Sequence, residues 1–133
     1  LGVCKVKAPA DLAAIVGQAQ QNLFIIQAAL AGATKSLSDE KVKEAEKVID
    51  EIEKELPPIT TFFISGGTEL GATFDHARTV ARRAERRVVA ACAVVKLAPE
   101  TLAYLNRLSS LLYALARLAN HRAGVAEESP GYD

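Results

Sequence analysis

Four stretches of this chain carry apolar residues at three- and four-residue steps, and proline or glycine closes each one off. The first holds Leu12, Ile15, Val16, Ala19, Leu23, Ile26 and Leu30, opened by Pro9 and Asp11 and ended near Gly32 and Thr34. That spacing makes one apolar face on an α-helix and none on a strand. A second helix is expected after Ser38, an N-cap residue type, with Asp39 and Glu40 at its positive end. Val42, Ala45, Ile49, Ile52 and Leu56 form its inward face, and Asp39–Lys43, Lys47–Glu51 and Asp50–Lys54 can pair along its outer one.

Pro57-Pro58 stops that helix. Ile59 to Ile64 is short, β-branched and aromatic, but a single such segment has no partner strand, so an extended connector is expected. Gly66-Gly67 breaks the chain, and Thr68 caps a long helix from Glu69 to about Lys96. Pro99 opens the last helix and Gly124 ends it. Leu1 to Lys7 reads as the tail of a further element. The expected fold class is all-α: an up-and-down bundle of four long helices plus the remnant of a fifth, N-terminal helix. Residues 1–124 form one domain, and residues 125–133, with little to pack, form a flexible tail.

Composition agrees. Half of the 133 residues are hydrophobic but only 5% are aromatic, and the alanine and leucine that dominate suit close helix packing. With zero net charge, no global field draws the chain to nucleic acid or a membrane surface. No apolar run reaches membrane-spanning length. Cys4 and Cys92, far apart and without metal-type spacing, read as reduced thiols of a cytoplasmic protein. Methionine is absent even at position 1, which reads as a chain without its natural start.

The charge is unevenly placed. All eight arginines lie between Arg78 and Arg122, whereas seven of the eight lysines precede Glu55. Arginine is the better bidentate partner for phosphate or carboxylate, so the second half reads as the working half. Arg78 to Arg87 alone holds five arginines and one glutamate. On a helix, Arg78, Arg82 and Glu85 fall within roughly 60° of one another, with Asp75 and Arg86 extending the strip. Leu70, Phe74, Ala77, Ala81, Ala84, Val88 and Cys92 form the apolar stripe beside it, while Arg83 and Arg87 project elsewhere. An internal ladder of Asp75 with Arg78 and Arg82 with Glu85 is the plain structural reading, yet two acids cannot neutralise five arginines.

On the last helix Asn106, Ser110, Tyr113 and Arg117 share a face; Asn106 offers the donor and acceptor that a nucleotide's ribose or base would need, and a polar outer face explains the four residues equally well. Gly66-Gly67-Thr68 lacks the lysine and spacing of a P-loop and reads as a turn with an N-cap. His76 and His121 have no second ligand at metal spacing, and no nucleophile–histidine constellation is present.

Three motifs together resemble the PduO-type ATP:cob(I)alamin adenosyltransferases: Leu56-Pro57-Pro58 followed by Phe62 to Leu70, the arginine-rich core from Arg78 to Arg86, and Leu105-Asn106-Arg107-Leu108-Ser109. The resemblance implies a homotrimer of helical bundles, with ATP and cobalamin as substrates between subunits and adenosylcobalamin and triphosphate as products. It implies Arg82 as the first phosphate contact with Arg83 and Arg86 beside it, helped by Mg2+. Glu85 and Asn106 would orient the nucleoside or hold Arg82, and Arg78 would form an ion pair across the subunit interface. Phe62 would pack below the corrin ring and displace the lower axial ligand of cobalt, and a reductase would supply the electron. Three departures stand out. A Thr/Gly-rich ATP-wrapping segment and a first-helix aspartate are not in this sequence, and Ser65 stands where proline is usual. A non-catalytic bundle that binds cobalamin or a nucleotide as carrier or sensor is the alternative. A nucleic-acid binder fits poorly, with zero net charge and few stacking aromatics.

Overall fold

The structure is a computed structural model describing residues 1–133. It contains five helices and no strand: α1 (Gly2–Lys7), α2 (Ala10–Leu30), α3 (Asp39–Glu55), α4 (Glu69–Ala91) and α5 (Pro99–Arg122). The all-α bundle expected from the periodicity is what forms.

The last helix is the centre of the bundle. α5 packs chiefly against α4 and α3 and also touches α2, while α1 bridges α2 and α4. Fourteen of its 24 residues are buried, so α5 has no broad solvent face. This corrects the outward polar face: of its four members Arg117 is 4% exposed and Asn106, Ser110 and Tyr113 are half-buried, while Thr101, Ser109 and Asn120 elsewhere on the helix are buried. Buried polar groups are tolerated only when hydrogen-bonded; Arg117 and Asn120 make their bonds to the connector and tail, and Ser109 bonds back to the Asn106 carbonyl of its own helix.

The amphipathic helices behave as their stripes predict. Val42, Ala45, Ile49 and Ile52 of α3 are buried, as is Leu56 after it. The Asp39–Lys43 pair forms at 2.7 Å, but Lys41 pairs with Glu44 in place of the two other expected ion pairs. These are solvated contacts of small weight. In α2, Leu12, Val16, Ala19 and Ile26 are buried, whereas Leu30 at the helix end is exposed. Asn22 is buried among them and donates its Nδ2 hydrogen to the Tyr104 hydroxyl at 3.0 Å.

Two boundaries differ from expectation. α4 ends at Ala91, and the chain turns through Cys92 to Val95 instead of continuing to Lys96. Nothing packs there, since Val94 is 87% exposed and Cys92 is exposed too, so burial does not extend the helix. The second difference is the tail. Val125 to Glu128 fold back onto the bundle: the Val125 amide donates to the Asn120 carbonyl at 3.0 Å, and the Ile64 amide to the Glu128 carbonyl at 2.8 Å. A carboxylate, Glu127, supplies the missing reason to pack.

Candidate functional site

Thr68 caps α4, its hydroxyl accepting the Gly71 amide at 2.9 Å. The loop before it is held by one α5 side chain. Asn120 Oδ1 accepts from the Thr68 amide at 2.9 Å and the Thr68 hydroxyl at 2.7 Å, while its Nδ2 donates to the Gly66 carbonyl at 2.8 Å. The Gly66 amide in turn donates to Asp75 Oδ2 at 3.1 Å, and burial pushes the Asp75 carboxyl above its ordinary range. Asn120 sits so close that a Cβ on Gly71 would lie 2.3 Å from its Oδ1, and one on Gly67, at φ +92, within 2.8 Å of its Nδ2. Both glycines are thus required by the approach of Asn120, and Gly67 by its backbone conformation as well. The turn and N-cap reading holds, with an α5 clamp that the sequence pattern did not reveal.

Further along the connector, the Arg117 guanidinium donates to both carboxylate oxygens of Glu127, to the second at 3.0 Å, and to the Pro57 carbonyl at 3.0 Å. Its Cζ also lies 5.1 Å from the centre of the Phe63 ring. Successive residues of extended chain point opposite ways: Phe63 faces Arg117, whereas Phe62 is 78% exposed. Between connector, α5 and tail lies a cavity of about 160 Å³, whose walls include Phe63, Asp75, Tyr113, Arg117, Asn120 and Glu127.

The arginine strip is differently situated. Arg82, Arg83, Arg86 and Arg87 are all exposed on α4. The internal ladder is sparse: Arg82 reaches Glu85 only at 3.9 Å, and Asp75, engaged by Gly66, makes no ion pair with Arg78. Glu85 accepts from Asn106 Nδ2 at 3.1 Å, and Asn106 Oδ1 accepts from Arg107 at 2.7 Å. Arg82, Glu85 and Asn106 are therefore brought together, with Arg107 as a fourth member, and guanidinium donors are left open to solvent. Arg78 lies over the Tyr113 ring at 5.6 Å, and its Nε is buried without a hydrogen-bond partner.

These features have a counterpart among known proteins. Residues 1–119 match the cobalamin adenosyltransferase family. The chain belongs to that family. A corrinoid adenosyltransferase of Bacillus subtilis (strain 168) is 37% identical over 121 residues, covering 88% of this chain and 63% of that protein. One from Citrobacter freundii is 32% identical over 126 residues, covering 89% of this chain and 72% of the relative. The corrinoid adenosyltransferase PduO of the same organism is 35% identical over 130 residues, of which this chain spans 38% of the length. Among solved structures, a phenylalanine-to-alanine variant of the PduO-type ATP:corrinoid adenosyltransferase from Lactobacillus reuteri, complexed with cobalamin and ATP, superposes with a TM-score of 0.91 at 27% identity. The match covers 97% of this chain and 77% of that one. An arginine-to-lysine variant complexed with ATP also gives 0.91, at 27% identity.

Within this cobalamin adenosyltransferase-family bundle, the residues singled out from sequence fall in three places, with Arg78 apart over Tyr113. Arg82, Glu85 and Asn106 cluster on α4 and α5, with Arg83 and Arg86 on the same helix as Arg82, while Phe62 stands on the connector. Sequence reasoning missed Asn120 and the Arg117–Glu127 pair. The available signal was a polar residue interrupting a nearly continuous apolar run from Leu111 to Ala119. No helix is long and apolar enough to cross a membrane.

Proposed function

We propose that this chain transfers the 5′-deoxyadenosyl group of ATP to cob(I)alamin, giving adenosylcobalamin and inorganic triphosphate. The cobalt–carbon bond forms as the bond from the 5′ carbon to oxygen breaks, and the electron pair of that bond leaves on triphosphate. Charge therefore accumulates on the leaving group, which preorganised guanidinium donors stabilise. The observation that carries the reading is the row of exposed arginines beside Glu85 and Asn106, with too few internal acids to satisfy it.

Arg82 makes the first phosphate contact, Arg83 and Arg86 support it, and Glu85 and Asn106 hold Arg82 and the nucleoside in register. Phe62, exposed on a pinned connector, packs under the corrin and excludes the lower axial ligand, so cobalt is more easily reduced. No proton must be removed from a nucleophile of this kind. Magnesium would arrive on the nucleotide phosphates, since no group of three His, Cys, Asp or Glu side chains is placed to hold an ion; its chemistry there would be charge neutralisation.

The reading extends to a cytoplasmic homotrimer that takes its electron from a reductase. Support for assembly comes from the exposed apolar Phe24 and Val80. The test is to mix chemically reduced cobalamin with ATP and the protein and follow the corrinoid spectrum. The adenosyl product is expected. Binding of either ligand without turnover would favour the carrier or sensor reading.

A further inference from the structure

Arg117 is 4% exposed and touches three separate parts of the chain at once: Glu127 of the tail, the carbonyl of Pro57 where the connector starts, and the ring of Phe63. The tail meets the connector a second time, through the Ile64 amide and the Glu128 carbonyl at 2.8 Å. Pro57 and Ile64 bracket Phe62, which itself is 78% exposed and rests on nothing of its own. Toward α4 the connector is fixed independently by Asn120 and Asp75 at Gly66 and Thr68. The backbone carrying Phe62 is thus anchored at one end by Asn120 of α5 and Asp75 of α4, and over its preceding stretch by a guanidinium that only the tail carboxylate neutralises.

We propose that Glu127 and Arg117 form a positioning latch: the tail carboxylate holds Arg117 in place, and Arg117 fixes the connector so that Phe62 is presented at a set height to the corrin. Neither residue touches the reacting atoms; both act through Phe62, and the role rests on the adenosyltransferase reading above. The bidentate, buried geometry suits this. Arginine offers a rigid fork that can serve a carboxylate and a carbonyl together, which lysine cannot. A charge pair out of water holds its partners to one arrangement, because separating them leaves an uncompensated buried charge.

The test uses Glu127→Gln, Arg117→Lys and the double variant Arg117→Met with Glu127→Met, which removes both charges but keeps bulk if a single variant fails to fold. Two readouts are taken. The first needs no substrate: amide hydrogen exchange at Ile64, whose amide donates to the Glu128 carbonyl. It is expected to quicken in all three variants relative to the unaltered protein, while exchange at Thr68, whose amide donates to Asn120, and at Gly71, whose amide donates to the Thr68 hydroxyl, stays put. The second is turnover. For the folded variants kcat is expected to fall roughly 10–100-fold, as misplacement of a positioned group by about an ångström would give, with KM for ATP within about twofold and with loss of the four-coordinate cob(II)alamin spectral signature. Unchanged exchange at Ile64, or a double variant that keeps both kcat and the four-coordinate signature, would overturn the latch. If the unaltered protein makes no adenosyl product, the functional reading falls; quickened exchange would then still establish the mechanical link, and its absence would remove that as well.

Discussion

The two ends of the candidate site are built on opposite principles. At the connector end, Asn120, Asp75 and Arg117 each satisfy backbone groups of the loop, and Asn120 and Arg117 are buried. At the other end, Arg82, Arg83, Arg86 and Arg87 stand on the surface of α4, with one long contact to Glu85 among them. One end spends its polar groups on shape, and the other keeps them available. A protein that must hold an aromatic at a defined place and also receive a polyanion needs both, and on one helix pair.

That contrast is broken most severely by removing an available guanidinium. Arg82→Ala is expected to cut turnover by roughly 10²–10³-fold, the usual loss for one preorganised donor to a developing anion. Thermal unfolding should be nearly unchanged, because the Arg82 side chain is 48% exposed. A variant with wild-type-like kcat would remove Arg82 from its role. The reverse pattern is expected at the closed end. Gly71→Ala places a Cβ against Asn120, so either the clamp or the helix must move, at a cost of about 1–3 kcal/mol. Chemical denaturation measures it; a midpoint shift no larger than that of Gly2→Ala, where the added Cβ meets nothing within 4 Å, would contradict the clamp.

Phe62→Ala tests whether the pinned loop matters for chemistry. Stability should hold, since the ring is largely in solvent. The four-coordinate cob(II)alamin signature should vanish and kcat fall by about tenfold or more, as loss of an axial-ligand exclusion worth a kilocalorie or two implies. ATP affinity should stay as it was, and an unchanged cobalt spectrum would refute the assignment.

How these ends were foreseen differs for a physical reason. Helix periodicity is local, so the stripes of α2 and α3, the Pro57-Pro58 stop and the Thr68 cap were all legible from neighbouring residues. So was the arginine row, because exposed side chains of like charge need no tertiary partner to be conspicuous. The closed end depends on pairs separated by 54 residues (Asn120 with Gly66) and 60 (Arg117 with Pro57), which no spacing rule reaches. The polar face of α5 allows an outward reading because amphipathicity says only that one side differs from the other. It took the central position of α5, between α3 and α4, to turn that face inward. The packing of the tail is hidden by the same route, since no helical spacing pairs Glu127 with the buried Arg117.

The smallest effect separates the buried arginine pair from an exposed one of similar geometry. Arg122, at the end of α5, binds Glu55 through its Nε at 2.9 Å and Asp11 at 2.6 Å, tying α5 to both α3 and α2. The guanidinium hydrogen bonds hold the carboxyls of Asp11 and Glu55 below their ordinary range. A carboxylate with a lowered folded pKa adds stability that is fully present above its unfolded pKa and is lost as pH falls through the folded one. Arg122→Gln should therefore lower the melting temperature slightly near neutrality and hardly at all at pH low enough to protonate both acids. Because all three side chains are well exposed, added salt should erase most of the difference. Salt should do little to Glu127→Gln, whose partner Arg117 is shielded from water. A series of melts at several pH values, in low and high salt, measures both variants together. If salt moved both melting temperatures equally, burial would not be what distinguishes the two pairs.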